Sequence, residues 1–444
     1  MIQSQRARFI KMFHLINAII KNSSSVPSKS FHQCASCFYI TFFVLITILP
    51  LVAAVHAEEI TLEQALQLFY ENNYDVLINR YEIDKAYGDF VGAKLRPNPN
   101  VSINSIGLRY EGLPRLSDDT QLTGRIDQLI ELGGKRGLRT NSAVATFEAS
   151  KLSHKDILRT LLIGFYTTFY NLQLDQLNIE FGRYDLERFK KIEEVSGKRF
   201  DAGFLSLIDY VKIKLSAIDV ENNLTNFEKQ FRADLESFNF LIASRTLLEP
   251  QKLAIKETFP QYGEDSLIQV ALKNRYDLLA LQKQSEAAQY GISLAKAMRI
   301  PDVTVGAEYD SFGKDSRPRF GVGFSLPLPL FNRNQGEILR RNAEFNQIEE
   351  QIKKTERQII SDIRQALNNY TGSLKIFESY RTRKKEMEDL LNKSESAFSL
   401  GGITVLDLLD TRKTYRDFMT KYNQALIQAV LNEELIKIFT GEMR

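Results

Sequence analysis

The sequence contains two copies of one pattern, and this repeat constrains the fold more than any other feature. The matched positions are Ala93–Ile103 with Ala295–Val305, Tyr74-Asp75 with Tyr276-Asp277, Gly124 with Gly323, Gly137 with Gly336, and Phe200 with Phe398. The separations vary only between 198 and 202 residues. Such self-similarity predicts two structural repeats within one chain.

Each copy contains a point where strand patterning changes to helix patterning. Residues 320–326 alternate apolar and small or polar side chains, as a strand does, and Pro327 and Pro329 cannot donate ladder hydrogen bonds. The turn residues Asn332 to Gly336 follow, and no proline occurs after them. The first copy has the same junction, with Gly133 and Gly134 as turn residues.

The patterns predict a helix, two strands and two long helices in each repeat. The first repeat covers 58–242, with one helix over 60–96, a β-hairpin over 99–132 with strands 100–110 and 121–132, and a helical hairpin over 138–242 with helices 138–200 and 205–242. An equatorial linker covers 243–264. The second repeat covers 265–444, with a helix, a β-hairpin over 302–330 with strands 302–312 and 318–328, and a helical hairpin over 334–440 with helices 334–399 and 404–440.

The long helices carry coiled-coil spacing. Apolar residues recur at intervals of four and three at Leu158, Leu162, Phe165, Phe169 and Leu172. Similar spacing recurs in the second copy at Leu367, Tyr370, Leu374, Phe377, Tyr415, Phe418 and Tyr422. We therefore expect long antiparallel helical hairpins, the first helix being about 90 Å long at 1.5 Å per residue.

The N-terminus has the pattern of a secretory signal peptide. Basic residues precede an almost wholly apolar run at 38–55, which Pro50 interrupts, and Val55-His56-Ala57 fits a cleavage site. We expect cleavage after Ala57, and the alternative is an uncleaved anchor. The basic region is unusually long, so Met12 is an alternative start. Both cysteines precede this site, so the mature chain would contain no disulfide.

Composition excludes several classes of function. Lys and Arg total 58 against 55 Asp and Glu, so nothing indicates nucleic-acid binding. His154 is the only histidine after residue 57, and no cysteine follows that point, so a resident metal site is not expected. No catalytic constellation is present, and we expect neither an enzyme nor a cofactor.

Four strands of about 11 residues have the length of tilted membrane-spanning strands. Val303, Val305, Ala307 and Tyr309 alternate with polar or small residues, which is the transmembrane-barrel pattern. Four strands cannot close a barrel, and open edges are not tolerated in lipid. Three copies would supply twelve strands, so the sequence favours a homotrimer that also forms a cylinder of helices.

These features carry a resemblance. The signal peptide, the repeat, the segment IELGGKRGLR at 130–139 and the segment LPLPLFNRNQGEI at 326–338 resemble TolC-type outer-membrane efflux factors. The two junction motifs are most similar to the CzcC-like branch that serves heavy-metal pumps. The resemblance implies a trimeric β-barrel on an α-barrel in the outer membrane. Its implied partners are outer-membrane lipid, a periplasmic adaptor and an inner-membrane pump of the resistance-nodulation-division type.

The hairpin turns hold the candidate pore residues. Thr404 can cap the returning helix with Asp407 three residues on, so capping alone could explain Asp407. The resemblance implies that Asp407 and Asp410 face the periplasmic entrance, where a trimer would form carboxylate rings that favour cations. Asp209 is the first-repeat counterpart, but Lys212 stands where Asp410 does. Ile403 occupies the place of an arginine that closes some family members, and Arg412 or Lys413 could substitute.

The turn glycines and the junction cations have two interpretations each. Gly203, Gly401 and Gly402 would permit left-handed backbone at tight turns, and the same tips could contact the adaptor. Lys135, Arg136, Arg139, Arg333 and Arg340 would form a basic belt near lipid head groups or simply solvate helix starts.

The sequence therefore predicts a passive outer-membrane channel of a tripartite efflux system, with heavy-metal cations as the expected cargo. One alternative keeps the fold but exports drugs or a secreted polypeptide. Another is a soluble periplasmic coiled-coil scaffold, which would lack barrel strands.

Overall fold

The computed structural model describes residues 58–107, 109–111, 113–115, 120–252, 258–312 and 317–442. The predicted signal peptide and its cleavage at Ala57 lie outside the described residues.

Two similar runs of elements follow one another along the chain. The strands are β1 (Glu58–Ile60), β2 (Asn100–Ile106), β3 (Arg109–Glu111), β4 (Leu113–Arg115), β5 (Gln121–Ile130), β6 (Leu248–Pro250), β7 (Val303–Phe312) and β8 (Arg319–Ser325). The helices are α1 (Leu62–Asn72), α2 (Tyr74–Lys94), α3 (Lys135–Asp201), α4 (Leu207–Leu241), α5 (Glu264–Asn274), α6 (Tyr276–Ala297), α7 (Gln335–Arg381), α8 (Lys384–Ser399) and α9 (Val405–Phe439). No described helix combines the length and apolar composition needed to cross a membrane.

Four strands, two from each repeat, form one antiparallel sheet in the order β2-β5-β7-β8. The central pair joins the repeats, with Ile126 opposite Ala307. Each long helix or helix pair leaves the same end of this sheet, because β2 and β7 begin there and β5 and β8 end there. The sheet and the helices are therefore arranged end to end.

The register sorts the side chains into one apolar and one polar face. Val101 faces Ile126, Ile126 faces Ala307, and Ala307 faces Val322 across the four strands. The opposite parity places Arg125 beside Glu308 on the other face. This is the alternation expected of a strand with lipid on one side and a polar lumen on the other.

The predicted single helix over 60–96 is wrong, because the helix is interrupted at Asn73. Asn73 has non-helical ψ of 127°, and its side chain accepts hydrogen bonds from the N–H groups of Asp75 and Val76, both at 3.0 Å. The second repeat is interrupted at the equivalent place, where Arg275 has ψ of 120°. Thr61 and Gln64 form a capping box at the start of α1.

The predicted helix over 334–399 is also divided, at Thr382 and Arg383. Arg383 N–H donates to Tyr380 O at 3.1 Å, three residues back rather than four. The Thr382 hydroxyl donates a hydrogen bond to the Glu378 carbonyl oxygen at 2.9 Å. Such contacts often bend helices. No glycine or proline marks this division.

The first strand ends earlier than predicted. β2 stops at Ile106, and Gly107 has φ of +83°. The short strands β3 and β4 then pair within the segment predicted to be strand end and loop.

The predicted coiled-coil seam forms the core. Leu162, Phe165, Phe169 and Leu172 are buried in one cluster, in which Leu158 is partly buried. Phe69 of α1 lies 5.1 Å from Phe165 between ring centroids, and such aromatic pairs add to burial energy. In the second repeat, Tyr370, Phe377, Tyr415 and Tyr422 are buried. The coiled-coil spacing thus identified the packed faces.

The predicted linker over 243–264 contains a strand that pairs with the first strand of the described chain. β6 lies in it and pairs in parallel with β1, Ile60 opposite Pro250. Asn239 of α4 supports this pair, because its side chain donates to Leu248 O and accepts from Leu248 N–H, both at 2.9 Å.

Candidate pore entrance and strand–helix junctions

The second hairpin tip is the turn between α8 and α9, and Asp407 has a capping role there. Asp407 N–H donates to Thr404 Oγ1 at 3.2 Å, and Thr404 N–H donates to the Asp407 carboxylate at 3.2 Å. The Thr404 hydroxyl also donates to that carboxylate at 2.7 Å. These hydrogen bonds from Thr404 hold the pKa of Asp407 below its ordinary value. The capping interpretation of Asp407 is confirmed, and its exposure to a pore stays a prediction.

Asp410 differs from Asp407 in its contacts. It lies one turn further along α9 and is exposed. Within the described part of the chain, its carboxylate accepts no hydrogen bond and forms no ion pair. Asp410 is therefore the carboxylate of this pair that has no partner among the described residues.

The first hairpin tip, between α3 and α4, is chemically different. Ser206 caps α4 by accepting from Asp209 N–H at 3.1 Å, and its hydroxyl donates to the Asp209 carboxylate at 2.9 Å. Lys212 pairs with the same carboxylate at 3.3 Å. The hydrogen bonds from Ser206 and then Lys212 lower the pKa of Asp209. The negative charge of Asp209 is thus partly offset by Lys212, as expected from the presence of Lys212 in the sequence.

Both turns need a left-handed residue, but not at every predicted glycine. Gly203 has φ of +76° and Gly401 has φ of +79°. Gly402 is not in this region, so the prediction for it is wrong; an added Cβ there would lie 3.4 Å from Ala397 O. Leu400 and Phe204 are exposed at the tips by 88% and 77%. The tips thus present apolar side chains beside tight turns.

A buried ion-pair cluster lies behind the second tip, and the sequence did not reveal it. Arg412 is 1% exposed and donates to the Asp185 carboxylate of α3 at 2.5 Å and to Glu395 of α8. Arg188 of α3 binds the same Glu395. Arg416 lies 3.9 Å from Asp185. We call these five residues the Arg412 cluster; it joins three helices that belong to both hairpins.

The Arg412 cluster is relevant to the prediction that Arg412 or Lys413 substitutes for a closing arginine. Burial lowers the pKa of Arg412 and raises the pKa of Asp185, so each charge depends on the other. The guanidinium of Arg412 also lies 5.0 Å from the Phe189 ring centroid. Lys413 is exposed. Arg412 and Lys413 are the two residues predicted to substitute for a closing arginine. Of these, Arg412 contacts both hairpins, and it does so within one chain.

Arg199 forms a second link between the two tips. It lies in the last turn of α3 and donates to Phe398 O at 2.5 Å, at the end of α8. Its guanidinium also lies 5.0 Å from the Phe398 ring centroid. The Phe398 carbonyl also accepts from Gly401 N–H at 3.0 Å, so Arg199 adds a second hydrogen bond at this helix end.

The first strand–helix junction is short and tied down. Gly133 and Gly134 both have φ of +69°, as the predicted turn requires, and α3 begins directly after them. Lys135 is buried and pairs with Asp302 at 2.7 Å, and Leu132 N–H donates to the same carboxylate at 2.9 Å. Asp302 precedes β7, so this junction is fastened to the other repeat.

The second junction uses asparagine rather than glycine. Pro327 and Pro329 follow β8 in a segment without strand pairing. Asn334 N–H donates to the Asn332 side chain at 2.9 Å, and Asn334 itself has φ of +60°. Gly336 lies inside the first turn of α7 with no positive φ, so the turn role predicted for it belongs to Asn334.

The predicted basic belt is largely used in internal ion pairs. Lys135 pairs with Asp302, Arg139 with Glu131 at 2.6 Å, and Arg340 with Glu337 and Glu344, both at 2.5 Å. Arg333 is exposed and has no ion pair among the described residues. The described residues of the two junctions therefore do not form a continuous belt of free cations.

The polar face of the sheet carries a charge network that was not predicted. Arg125 donates to Asp127 at 2.8 Å and to Glu308 of the neighbouring strand at 3.3 Å. Thr123 donates to Asp310 at 2.5 Å. Gly306 faces Asp127 in the register, and a side chain there would collide with that carboxylate. The network is recognisable only once the register of β5 and β7 is known.

Metal-binding groups do not converge in the described ranges. No group of three or more His, Cys, Asp or Glu side chains there could hold an ion. His154 contacts Asn79 Oδ1 through Nδ1 at 2.8 Å and is partly buried, so it has a structural partner.

Comparisons with known proteins agree with this architecture. Residues 267–441 match the family described as outer membrane efflux protein. The chain is 22% identical to the cobalt-zinc-cadmium resistance protein CzcC of Cupriavidus metallidurans, covering 82% of this chain and 86% of that protein. It is 22% identical to the pyoverdine export outer membrane protein OpmQ of Pseudomonas aeruginosa, covering 80% and 79%.

A solved structure shares the fold. Crystal structures of CusC, which concern folding and transmembrane channel formation, superpose with a TM-score of 0.73 at 12% identity, covering 86% of this chain and 92% of that one. A soluble periplasmic scaffold does not fit these findings. The amphipathic sheet, the duplicated hairpins and the matches together place the protein in the outer membrane, and residues 267–441 match the outer membrane efflux protein family.

Proposed function

We propose that three copies of this chain form the outer-membrane duct of a tripartite efflux system and that the duct passively conducts metal cations. The observation that carries the proposal is the amphipathic four-stranded sheet, whose edge strands β2 and β8 have no further strand partner among the described residues. Open edges are not tolerated in lipid, so copies must pair edge to edge. Three copies give twelve strands, an even number within the bacterial range.

The free carboxylate of Asp410 supports a cationic cargo. Three copies would place three such carboxylates around the entrance, and a ring of this kind attracts cations and repels anions. The first tip does not add to the ring in the same way, because Lys212 offsets Asp209. The similarity to the cobalt-zinc-cadmium resistance protein supports a metal cargo, while the similarity to the pyoverdine exporter supports an organic cargo as the second candidate.

The hairpin tips support docking with a periplasmic adaptor and, through it, a pump of the resistance-nodulation-division type. Phe204 and Leu400 are large apolar side chains that are mostly exposed at the two tips. An adaptor would cover them and would bring the pumped substrate to the entrance. Energy for export would come from the inner-membrane partner, since the duct needs no chemistry of its own.

Conductance in a planar bilayer tests the duct and its selectivity together. We expect the purified protein to be a trimer and Asp410→Asn to reduce the preference for cations over anions. Asp209→Asn is the matched control, because Lys212 already offsets that carboxylate, and it should change selectivity less. A monomer without conductance would contradict the duct, whereas a conducting trimer with unchanged selectivity in Asp410→Asn would contradict only the carboxylate ring.

Deletion of the gene tests the cargo. Growth should become sensitive to one or more divalent metal ions, and full-length protein should restore it. Sensitivity to organic compounds alone, with unchanged metal tolerance, would favour the second candidate.

A further inference from the structure

The two strand–helix junctions of the chain differ in length, and the longer one is unusually apolar. Four residues, 131–134, separate β5 from α3, whereas nine residues, 326–334, separate β8 from α7. The first six of the nine are Leu-Pro-Leu-Pro-Leu-Phe. We call residues 326–331 the LP segment.

The LP segment continues the apolar face of the sheet. On β8 that face consists of Phe320, Val322 and Phe324, which the register places in line with the apolar side chains of β7. The leucines of the LP segment keep the same alternation, at positions 326, 328 and 330. Leu328 is 70% exposed and Phe331 is 92% exposed, so nothing in the described part of the chain covers them.

The backbone of the LP segment has few hydrogen-bond donors to satisfy. Pro327 and Pro329 have no N–H group, and Leu330 N–H donates to Leu328 O at 2.9 Å. An unpaired strand extension would otherwise expose a donor at every residue, and each unsatisfied donor is costly in an apolar environment. The proline alternation therefore lets this segment lie unpaired at a membrane surface.

The end of the LP segment matches a membrane interface. The paired strands β5 and β7 span ten residues each, which when tilted corresponds to the apolar band of about 25 Å in such barrels. The LP segment begins where that pairing ends, at the end of the sheet from which the helices leave. Phe331 ends the segment, and Arg333, which is exposed and has no ion pair among the described residues, follows it; an aromatic residue and a cation of this kind are enriched at the head-group level.

We propose that the LP segment is a lipid-contact belt that lies in the periplasmic interface of the outer membrane, with phospholipid acyl chains against Leu328 and Phe331 and head groups beside Arg333. This proposal rests on the outer-membrane location of the protein. The first repeat lacks an equivalent, because its junction turns within four residues and its Lys135 is buried against Asp302.

The chain contains no tryptophan, so a single introduced tryptophan reports one position. Phe331→Trp would be reconstituted as full-length protein in phosphatidylcholine vesicles with and without bromine on the acyl chains. Leu328→Trp is a second reporter in case the first fails to assemble. Phe320→Trp reports a site on the lipid-facing strand, and Phe204→Trp reports the hairpin tip.

We expect bromolipid to quench most of the emission of Phe331→Trp and Leu328→Trp, with bromine near the head group quenching more than bromine at the chain ends. Phe320→Trp should be quenched as well, and Phe204→Trp should not. Emission at Leu328 and Phe331 that is quenched by aqueous acrylamide but not by bromolipid would overturn the proposal. So would emission that neither reagent quenches, which would place the segment against a second copy of the chain. Loss of quenching at Phe320 would instead contradict the membrane location itself.

Discussion

The two hairpin tips share one backbone design and differ in their charges. Each has a left-handed glycine, at 203 or 401, and a hydroxyl N-cap that pairs with an acid three residues on. At the first tip the next turn carries Lys212, which binds the capping acid Asp209. At the second tip the same position is Asp410, which is exposed and unpaired within the described residues.

The difference extends one turn deeper into the helices. Arg412 corresponds to Lys214 of the first repeat at the separation of 198 residues that relates the two turns. Lys214 is exposed and lies 4.8 Å from the Tyr210 ring centroid, whereas Arg412 is buried among carboxylates. The two tips thus share the turn, whereas the second has a carboxylate without a partner among the described residues and a buried cation behind it.

The largest expected effect is that of removing Arg412. Arg412→Ala would leave Asp185 and Glu395 without their buried partner, and breaking such a pair costs about 3–5 kcal/mol. Local opening of α8 and α9, measured by amide hydrogen exchange, should become easier by that order. Lys214→Ala, the counterpart, should change protection little because its ammonium is exposed.

A second variant separates charge pairing from packing. Replacing Arg412, Asp185 and Glu395 together with apolar residues of similar volume should restore much of the protection, since buried ion pairs contribute little net stability over well-packed apolar groups. Unchanged exchange in Arg412→Ala would show that the Arg412 cluster does not hold the hairpins together.

The next largest effect concerns pH and again distinguishes the repeats. Asp175 of α3 is buried, one of its oxygens has no partner among the described residues, and its second-repeat counterpart is Ser373. Burial, and then repulsion from Asp234, raise the pKa of Asp175 to about 7 from an ordinary value of 3.8. The folded state therefore binds this proton more tightly than the unfolded state does.

The sign of the pH dependence follows from that difference. The contribution of Asp175 to the free energy of unfolding is fully present below pH 3.8 and is lost as the pH rises through about 7. Asp175→Asn should remove this dependence and stabilise the protein at pH 8 by on the order of a few kcal/mol. Chemical denaturation followed by the helical circular dichroism signal at pH 5 and pH 8 measures it. Ser373→Ala is the matched control, and an equal pH dependence in wild type and Asp175→Asn would contradict the assignment.

The predictable part of this fold was the part with a period or a repeat. Phe165 and Phe169 lie at coiled-coil spacing, and that spacing correctly placed them in the core. The interruptions at Asn73 and Arg275 were not predicted, although the Tyr-Asp pair that follows each one was visible as a repeated signal.

Long-range polar contacts could not be predicted in the same way. Arg412 meets partners 227 and 17 residues away, and no local pattern brings those positions together. Gly306 similarly makes sense only beside Asp127, which depends on the register of two strands from different repeats. Capping of Asp407 was predictable because both partners lie within one turn.

The smallest expected effect tests the part of the tips that the two repeats share. Gly401→Ala places a side chain at φ of +79°, and a left-handed alanine costs roughly 1–2 kcal/mol. Gly402→Ala avoids that cost, and its new Cβ would only approach Ala397 O at 3.4 Å. Hydrogen exchange at the first amides of α9 should therefore speed up in Gly401→Ala and change less in Gly402→Ala. Gly203→Ala should behave as Gly401→Ala does, because its φ is nearly the same. If Gly402→Ala had the larger effect, packing against Ala397 rather than backbone handedness would determine the shape of this turn.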